Sequence, residues 1–199
     1  MSGRRIGVLA VQGDVAEHVD ALRRAGAEAV EVRLPAQLRG IDGLIIPGGE
    51  STAIGKLLVN WGLLEPIKKK IGEGFPVWGT CAGAILLAKC VKDALPDQPL
   101  LGGMDLSVRR NAFGRQVQSF ETSLIVKALG REPVPAVFIR APTIERAGKG
   151  VKVLARLPDG SIAAAQQGRL LATTFHPELT PDARFHAHFV RLSAEAAER

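Results

Sequence analysis

Residues 75–90 read FPVWGTCAGAILLAKC. An apolar run meets a glycine, a cysteine follows among small residues, and a second apolar run begins at once. A strand, a tight turn and a helix account for that order. Gly79-Thr80-Cys81-Ala82-Gly83 fits the nucleophile-elbow pattern with cysteine in the place of serine. Small flanking residues permit the strained turn, the turn lifts the sulfur above the sheet, and the N–H groups that open the next helix favour thiolate over thiol. Core filling explains a lone cysteine equally well, because free cysteine is among the most buried residue types. The elbow reading therefore needs a base elsewhere in the chain.

Working outward from the elbow, PVWG at 76–79 is the strand that delivers Cys81, and residues 82–91 read as the helix after it. Upstream, Arg5 to Gln12 is apolar on both sides, as in a parallel strand covered on both faces. Asp14 is read as the cap of a helix in which Val15, Val19 and Leu22 recur at helical spacing, with Gly26 as its stop. AVEVRL at 29–34 and DGLIIPGG at 42–49 are strands. Ser51 or Thr52 starts the helix TAIGKLLVNWG, and 64–74 is one more helix. This alternation predicts a parallel sheet with crossover helices. From about 100 to 175 short β-rich runs dominate (MDLSV, QVQSFETSLIV, AVFIRA, VKVLARL, SIAAAQ, LLATTF), and the tail from Pro181 is helical. The expected architecture is α/β, one domain over 1–199, with a mixed, largely parallel sheet flanked by helices and later strands partly antiparallel.

With 199 residues and 46% hydrophobic content, the chain can bury a sizeable core. The apolar run after Met1 is too short for a signal peptide or a membrane span, so the expected location is the cytoplasm and no membrane partner is expected. Cys81 and Cys90, the two cysteines, lie nine positions apart. On a helix that is roughly 13 Å at ~1.5 Å per residue, beyond the reach of a disulfide. A net charge of +6 invites a nucleic-acid reading, yet the basic residues are scattered, tyrosine is absent and aromatics are 5%. No nucleic-acid partner is expected.

GGESTAIGKL resembles a phosphate loop only in outline: the motif needs glycine at 50 and a hydroxyl at 57, where this chain has Glu50 and Leu57. What remains is a glycine pair at a strand's C-terminal edge, where open α/β sheets bind ligands. Four histidines compete as the base. His18, beside Glu17 and Asp20, reads as a solvated surface residue. His186 and His188, two apart on a helix, do not share a face and suit surface or packing roles. With no Cys-x-x-Cys or His-x-x-x-His pair, metal binding has no motif behind it. His176 ends the strand LLATTF and precedes Pro177, which favours extended geometry before it. Residues i and i+2 of an extended segment face one side. Glu178 is thus placed to accept a hydrogen bond from one ring nitrogen, leaving the other to take a thiol proton.

PGGEST at 47–52, GTCAG at 79–83 and FHPEL at 175–179, in that order, resemble the motifs of class I (triad) glutamine amidotransferases, with their flavodoxin-like fold. GVLAVQGDVAEH near the start, RRNAFGRQVQSFE at 109–121 and FIRAP at 138–142 are more narrowly similar to the glutaminase subunits of pyridoxal phosphate synthases. The resemblance covers essentially the whole chain. Trp78 and Asp14 stand at positions where related chains vary.

The resemblance implies that Cys81 is the nucleophile, with His176 and Glu178 as its partners. It assigns glutamine recognition to Gly49, Glu50, Ser51, Arg110, Ile139 and Arg140, and oxyanion stabilisation or activation to Gln12, Gly13 and Ala82. The implied reaction is hydrolysis of L-glutamine to glutamate and ammonia through a cysteine thioester, without metal or cofactor. The implied partner is a (β/α)8 barrel synthase chain in a hetero-oligomer, to which ammonia passes for synthesis of pyridoxal 5'-phosphate (vitamin B6). Two other readings stand beside it: a class I glutaminase of another pathway, such as anthranilate or guanylate synthesis, and a non-catalytic binding or stress-response relative that keeps the elbow cysteine.

Overall fold

Strand and helix alternate through the first ninety residues of the computed structural model, which describes residues 3–110 and 119–197. In chain order the elements are β1 (Arg5–Leu9), α1 (Val15–Arg24), β2 (Glu28–Val32), β3 (Gly43–Ile46), α2 (Ser51–Asn60), α3 (Leu64–Gly72), β4 (Val77–Thr80) and α4 (Ala82–Leu87). The later half carries β5 (Ala88–Lys92), β6 (Met104–Arg109), β7 (Ser119–Leu124), β8 (Val134–Ile139), β9 (Thr143–Ala147), β10 (Lys152–Arg156), β11 (Ile162–Gln167), β12 (Leu170–Thr173) and α5 (Arg184–Ala197). The main sheet runs β2-β1-β3-β4-β12-β11-β9-β6-β5, with β10 paired to β11, while β7 and β8 form a separate antiparallel pair.

β2, β1, β3, β4 and β12 are mutually parallel; β11 is antiparallel to β12, β9 and β10. The expected mixed α/β sheet is what the chain forms. β3 and β4 are buried throughout, which explains their continuous apolar runs: both faces of a parallel strand are covered by crossover helices. One core includes Leu9, Ile46, Ile54, Leu58 and Leu87, and another gathers Ile6, Val8, Trp78, Phe175, Phe185 and Phe189.

Trp78 is wholly buried, pairs in register with Ile45 and Leu171, stacks on Phe185 and donates its indole N–H to Thr173 Oγ1 at 3.2 Å. Truncating it to alanine should cost about 3–5 kcal/mol, the usual range for a buried aromatic.

The apolar run after the elbow departs from expectation. α4 stops at Leu87, and residues 88–92 turn into β5, parallel to β6, so Cys90 lies exposed on a strand. Both cysteines are free. β9 had no counterpart among the expected strands. Residues 116–118 of the expected strand QVQSFETSLIV, with Asn111 to Arg115 of the longer signature, lie outside the described residues. Among the described residues no helix is long and apolar enough to cross a membrane.

This topology brings the ends of β1, β3, β4 and β12 to one edge of the sheet. The segments that leave that edge carry Gln12 and Asp14, Gly49 and Glu50, Cys81, and His176.

Candidate active site

β4 ends at Thr80, and the chain reverses into α4 through Cys81, whose φ of 47° and ψ of −103° lie in the left-handed half of backbone space. A non-glycine residue held there stores of order 1–3 kcal/mol, and the surroundings must over-determine it. Here the Cys81 N–H donates to the Thr173 carbonyl at 2.8 Å, and the Cys81 carbonyl accepts from Ala84 N–H at 3.1 Å. The flanking glycines serve close approach. A Cβ on Gly79 would overlap the Gly83 backbone, and one on Gly83 would overlap the Ile46 carbonyl. The sulfur stands 4.0 Å from the Ile139 carbonyl oxygen.

His176 is anchored by its N–H to the Val137 carbonyl at 2.8 Å. Glu178 meets it as expected, Oε1 lying 2.7 Å from Nδ1, but the route differs. Pro177–Leu179 is a single 3-10 turn, and that turn, rather than an extended segment, swings the carboxylate back to the ring. Both residues are only 4% exposed. Asp14 was expected to cap α1, yet its side chain makes no cap hydrogen bond; Oδ2 instead lies 3.2 Å from the same Nδ1.

Burial opposes a charged imidazole at His176, but hydrogen bonds to Asp14, Cys81 and Glu178, with the charge on Cys81, outweigh it and push the pKa up to about 12. Burial raises the Glu178 carboxyl, and the His176 contact pulls the other way. Asp14, His176 and Glu178 offer three possible metal-ligand atoms within 4.8 Å of one another. The shared ring nitrogen already accounts for that convergence.

On the other side of the elbow, α2 starts at Ser51 as expected, and Glu50 caps it, its two carboxylate oxygens accepting from Thr52 N–H at 3.0 Å and Ala53 N–H at 2.7 Å. Burial alone would raise its pKa; those bonds and the Arg110 charge prevail and lower it. Arg110 donates to Glu50 Oε1 at 3.0 Å, to Thr52 Oγ1 at 3.0 Å and to Gln98 Oε1 at 2.7 Å. Gln12 Oε1 accepts from the Glu50 N–H at 2.9 Å, tying the loop after β1 to the start of α2.

A cleft of about 360 Å³ opens over Cys81 and His176. Its walls bring together Gln12, Gly49, Glu50, Ser51, Ala82, Arg110, Ile139 and Arg140, each expected at the site from the sequence, along with Asp14, Ile85 and Pro142, to which no site role was assigned. Glu178 sits behind His176, and Gly13 stands outside the lining. Arg140 adopts a φ of 43°, a second non-glycine residue with positive φ at the cleft wall, after Cys81.

The pattern that defines the SNO glutamine amidotransferase family matches residues 8–195. The chain belongs to that family. Among relatives of this glutamine amidotransferase, the pyridoxal 5'-phosphate synthase subunit PdxT of Parafrankia sp. (strain EAN1pec) is 60% identical over 192 residues, covering 96% of this chain and 94% of the relative. The protein of the same name from Roseiflexus sp. (strain RS-1) is 56% identical over 187 residues, covering 94% and 99%. A solved structure described as a glutamine amidotransferase superposes with a TM-score of 0.89 at 51% identity, covering 95% of this chain and 98% of that one. The family resemblance and the α/β architecture drawn from the motifs are thereby both shown.

One buried residue was misread. His18 was expected at the surface; it is wholly buried, its Nδ1 3.0 Å from His186 Nε2 and its Nε2 3.1 Å from Thr80 Oγ1. Its helical neighbours Ala21 and Leu22, three and four positions on, are buried too. That spacing was the available signal, and the charged residues next to it in sequence concealed it.

Proposed function

We propose that this chain is the glutaminase subunit of a pyridoxal 5'-phosphate synthase, its residues 1–199 acting as one glutamine-hydrolysing domain in the cytoplasm. The observation that carries the reading is the left-handed elbow holding Cys81 against a His176 whose far nitrogen is held by Glu178.

The Cys81 thiolate attacks the side-chain amide carbon of glutamine. With Nδ1 engaged by Glu178, Nε2 of His176 gives its proton to the departing nitrogen, and ammonia leaves. The same nitrogen then takes a proton from the water that hydrolyses the glutamyl thioester, releasing glutamate and restoring the thiolate. Main-chain N–H groups at Ala82 and at Gly13 hold the oxyanion, the latter once the 12–13 peptide has turned. Arg110 complements the substrate carboxylate and Glu50 its ammonium group; Gly49, Ser51, Ile139 and Arg140 complete the glutamine site. No metal or cofactor enters these steps.

Ammonia is a nucleophile only when unprotonated, and water would protonate most of it. Direct transfer into a bound synthase, a separate (β/α)8 barrel chain in a hetero-oligomer, meets that requirement. The names of the relatives support this partner. Ammonia release from L-glutamine, measured for the chain alone and mixed with the synthase chain, tests the proposal. Release that rises with the synthase supports it; no release in either case overturns it.

A further inference from the structure

Behind the triad lies a second pair of imidazoles that the reaction as written does not use. His18 and His186 have no solvent exposure, nor has the side chain of Glu178. His18 Nδ1 is 3.0 Å from His186 Nε2, His18 Nε2 is 3.1 Å from Thr80 Oγ1, and the same Nε2 is 3.5 Å from Glu178 Oε2. Among the described residues, Glu178 Oε2 and His186 Nδ1 are the two buried side-chain polar atoms without a hydrogen bond.

The protons of this cluster follow from those contacts. A neutral imidazole has one N–H and one lone pair. Burial, and then the repulsion that positive charge on His186 or His176 would exert, holds the His18 pKa well below its usual value, and burial with the Arg24 charge lowers that of His186 to about 3, so both rings are neutral. Two neutral rings joined nitrogen to nitrogen share one donated proton. An orphaned buried N–H is rarer than an orphaned acceptor, so unpartnered His186 Nδ1 carries the lone pair, and His186 Nε2–H donates to His18 Nδ1. His18 must then carry its proton on Nε2, which donates to Thr80 Oγ1 with the negatively charged Glu178 Oε2 3.5 Å away.

We propose that His18 is a positioning residue of the triad, clamping Glu178 from the oxygen opposite His176, and that His186 sets the His18 tautomer. The inference rests on the glutaminase reading above. Glu178 then has an imidazole on each side, His176 bonded to Oε1 at 2.7 Å and the His18 N–H 3.5 Å from Oε2, and both oppose rotation of the carboxylate away from His176. The same His18 N–H also touches Thr80, the residue immediately before the nucleophile, so one side chain registers the elbow against the HPE turn.

The test compares His18→Leu, which removes the donor, with His18→Gln, whose amide keeps an N–H near the position of Nε2. Both are assayed for ammonia release from L-glutamine in the presence of the synthase. Activity of the unmodified complex reports on the glutaminase reading alone. Given that activity, His18→Leu should lower kcat by about 10- to 100-fold, the range that losing the partner behind a metal-bound imidazole costs in activity, with KM nearly unchanged; His18→Gln should restore much of the loss. In a Glu178→Gln background the effect of His18→Leu should shrink to less than about twofold, because residues acting through one another are not additive. Unchanged kcat in His18→Leu, or an equal effect with Glu178 intact or replaced, overturns the proposal. Should His18→Leu fail to fold, nitrogen-15 shifts of the imidazoles in the unmodified chain decide. A neutral His18 protonated at Nε2 supports the clamp, and protonation at Nδ1 overturns it.

Discussion

Asp14 Oδ2 stands 3.2 Å from the same ring nitrogen of His176 that Glu178 Oε1 approaches at 2.7 Å. One N–H faces two carboxylates from opposite ends of the chain, Glu178 at the middle of the hydrogen-bond range and Asp14 at its upper end. Asp14 therefore joins Cys81 and Glu178 in holding His176 protonated, with a pKa pushed up to about 12. Asp14→Asn should lower that pKa, read from the His176 ring-proton shift against pH. The sign follows from linkage: a raised histidine pKa adds stability that is complete below the unfolded value of 6.5 and is lost as pH rises through the folded value. An unchanged titration midpoint in Asp14→Asn would remove Asp14 from the site's electrostatics.

Cys81→Ala and His176→Asn should each cut ammonia release by about 10⁴-fold or more, since nucleophile and base act as a unit. Glu178→Gln should be milder than His176→Asn, because the base survives when its orienter is weakened. Cys90, exposed on β5, supplies an internal control: Cys90→Ser should retain near-normal turnover. Assays of ammonia and glutamate check all four variants, and substantial activity in Cys81→Ala would end the assignment of the nucleophile.

The fold and much of the cleft were legible because local chemistry determined them. The glycine-flanked elbow, the continuous apolar strands and the Gly-Gly edge each have one structural solution in an α/β sheet. What escaped reading depended on long-range partners. Asp14 had the form of an N-cap, and only the return of β12 to the sheet centre brings His176 within its reach. Glu50 caps α2 ahead of two better-known cap residues because its longer side chain folds back to two N–H groups. The run ILLAKCV suits helix or strand alike, and pairing with β6 decides for strand after Leu87.

Arg110 donates to Glu50, Thr52 and Gln98, and these three bonds fix its guanidinium at the cleft wall. Arg110→Met should raise KM for glutamine by about 10- to 100-fold, the loss of one charge-assisted bond of about 1.5–3 kcal/mol, and change kcat less. Titration calorimetry on the Cys81→Ala background with the synthase bound would check it. Unaltered glutamine affinity would leave Arg110 as a brace for Glu50 alone.

His186 is neutral when folded, its pKa lowered to about 3 by burial and then by Arg24, against an ordinary 6.5. The unfolded chain therefore binds more protons there between pH 6.5 and 3, and stability falls as pH drops through that window. His18, packed against it, adds in the same direction. His186→Met removes one of the two groups, so the loss of urea midpoint between pH 7 and 4.5 should be smaller than in the unmodified chain, whatever the variant's absolute stability. Equal losses would show that His186 already titrates normally.

Gly13 has a φ of 111°, a conformation that β-branched residues resist, and a Cβ there would collide with the Gly48 carbonyl oxygen. That oxygen accepts the Asp14 N–H at 3.2 Å, and Gln12 holds the Glu50 N–H, so the 12–13 peptide sits between two fixed contacts. Only glycine can occupy this position and still let the peptide turn over. If synthase binding turns it to point an N–H at the oxyanion, one donor worth about 10²–10³ in rate separates the bound from the free subunit, and glutamine is spared when no acceptor for ammonia is docked. Gly13→Val should then form the complex, seen by gel filtration, yet show none of the rise in ammonia release that the synthase gives the unmodified chain. Normal activation of Gly13→Val, or full turnover by the isolated chain, would sink the switch.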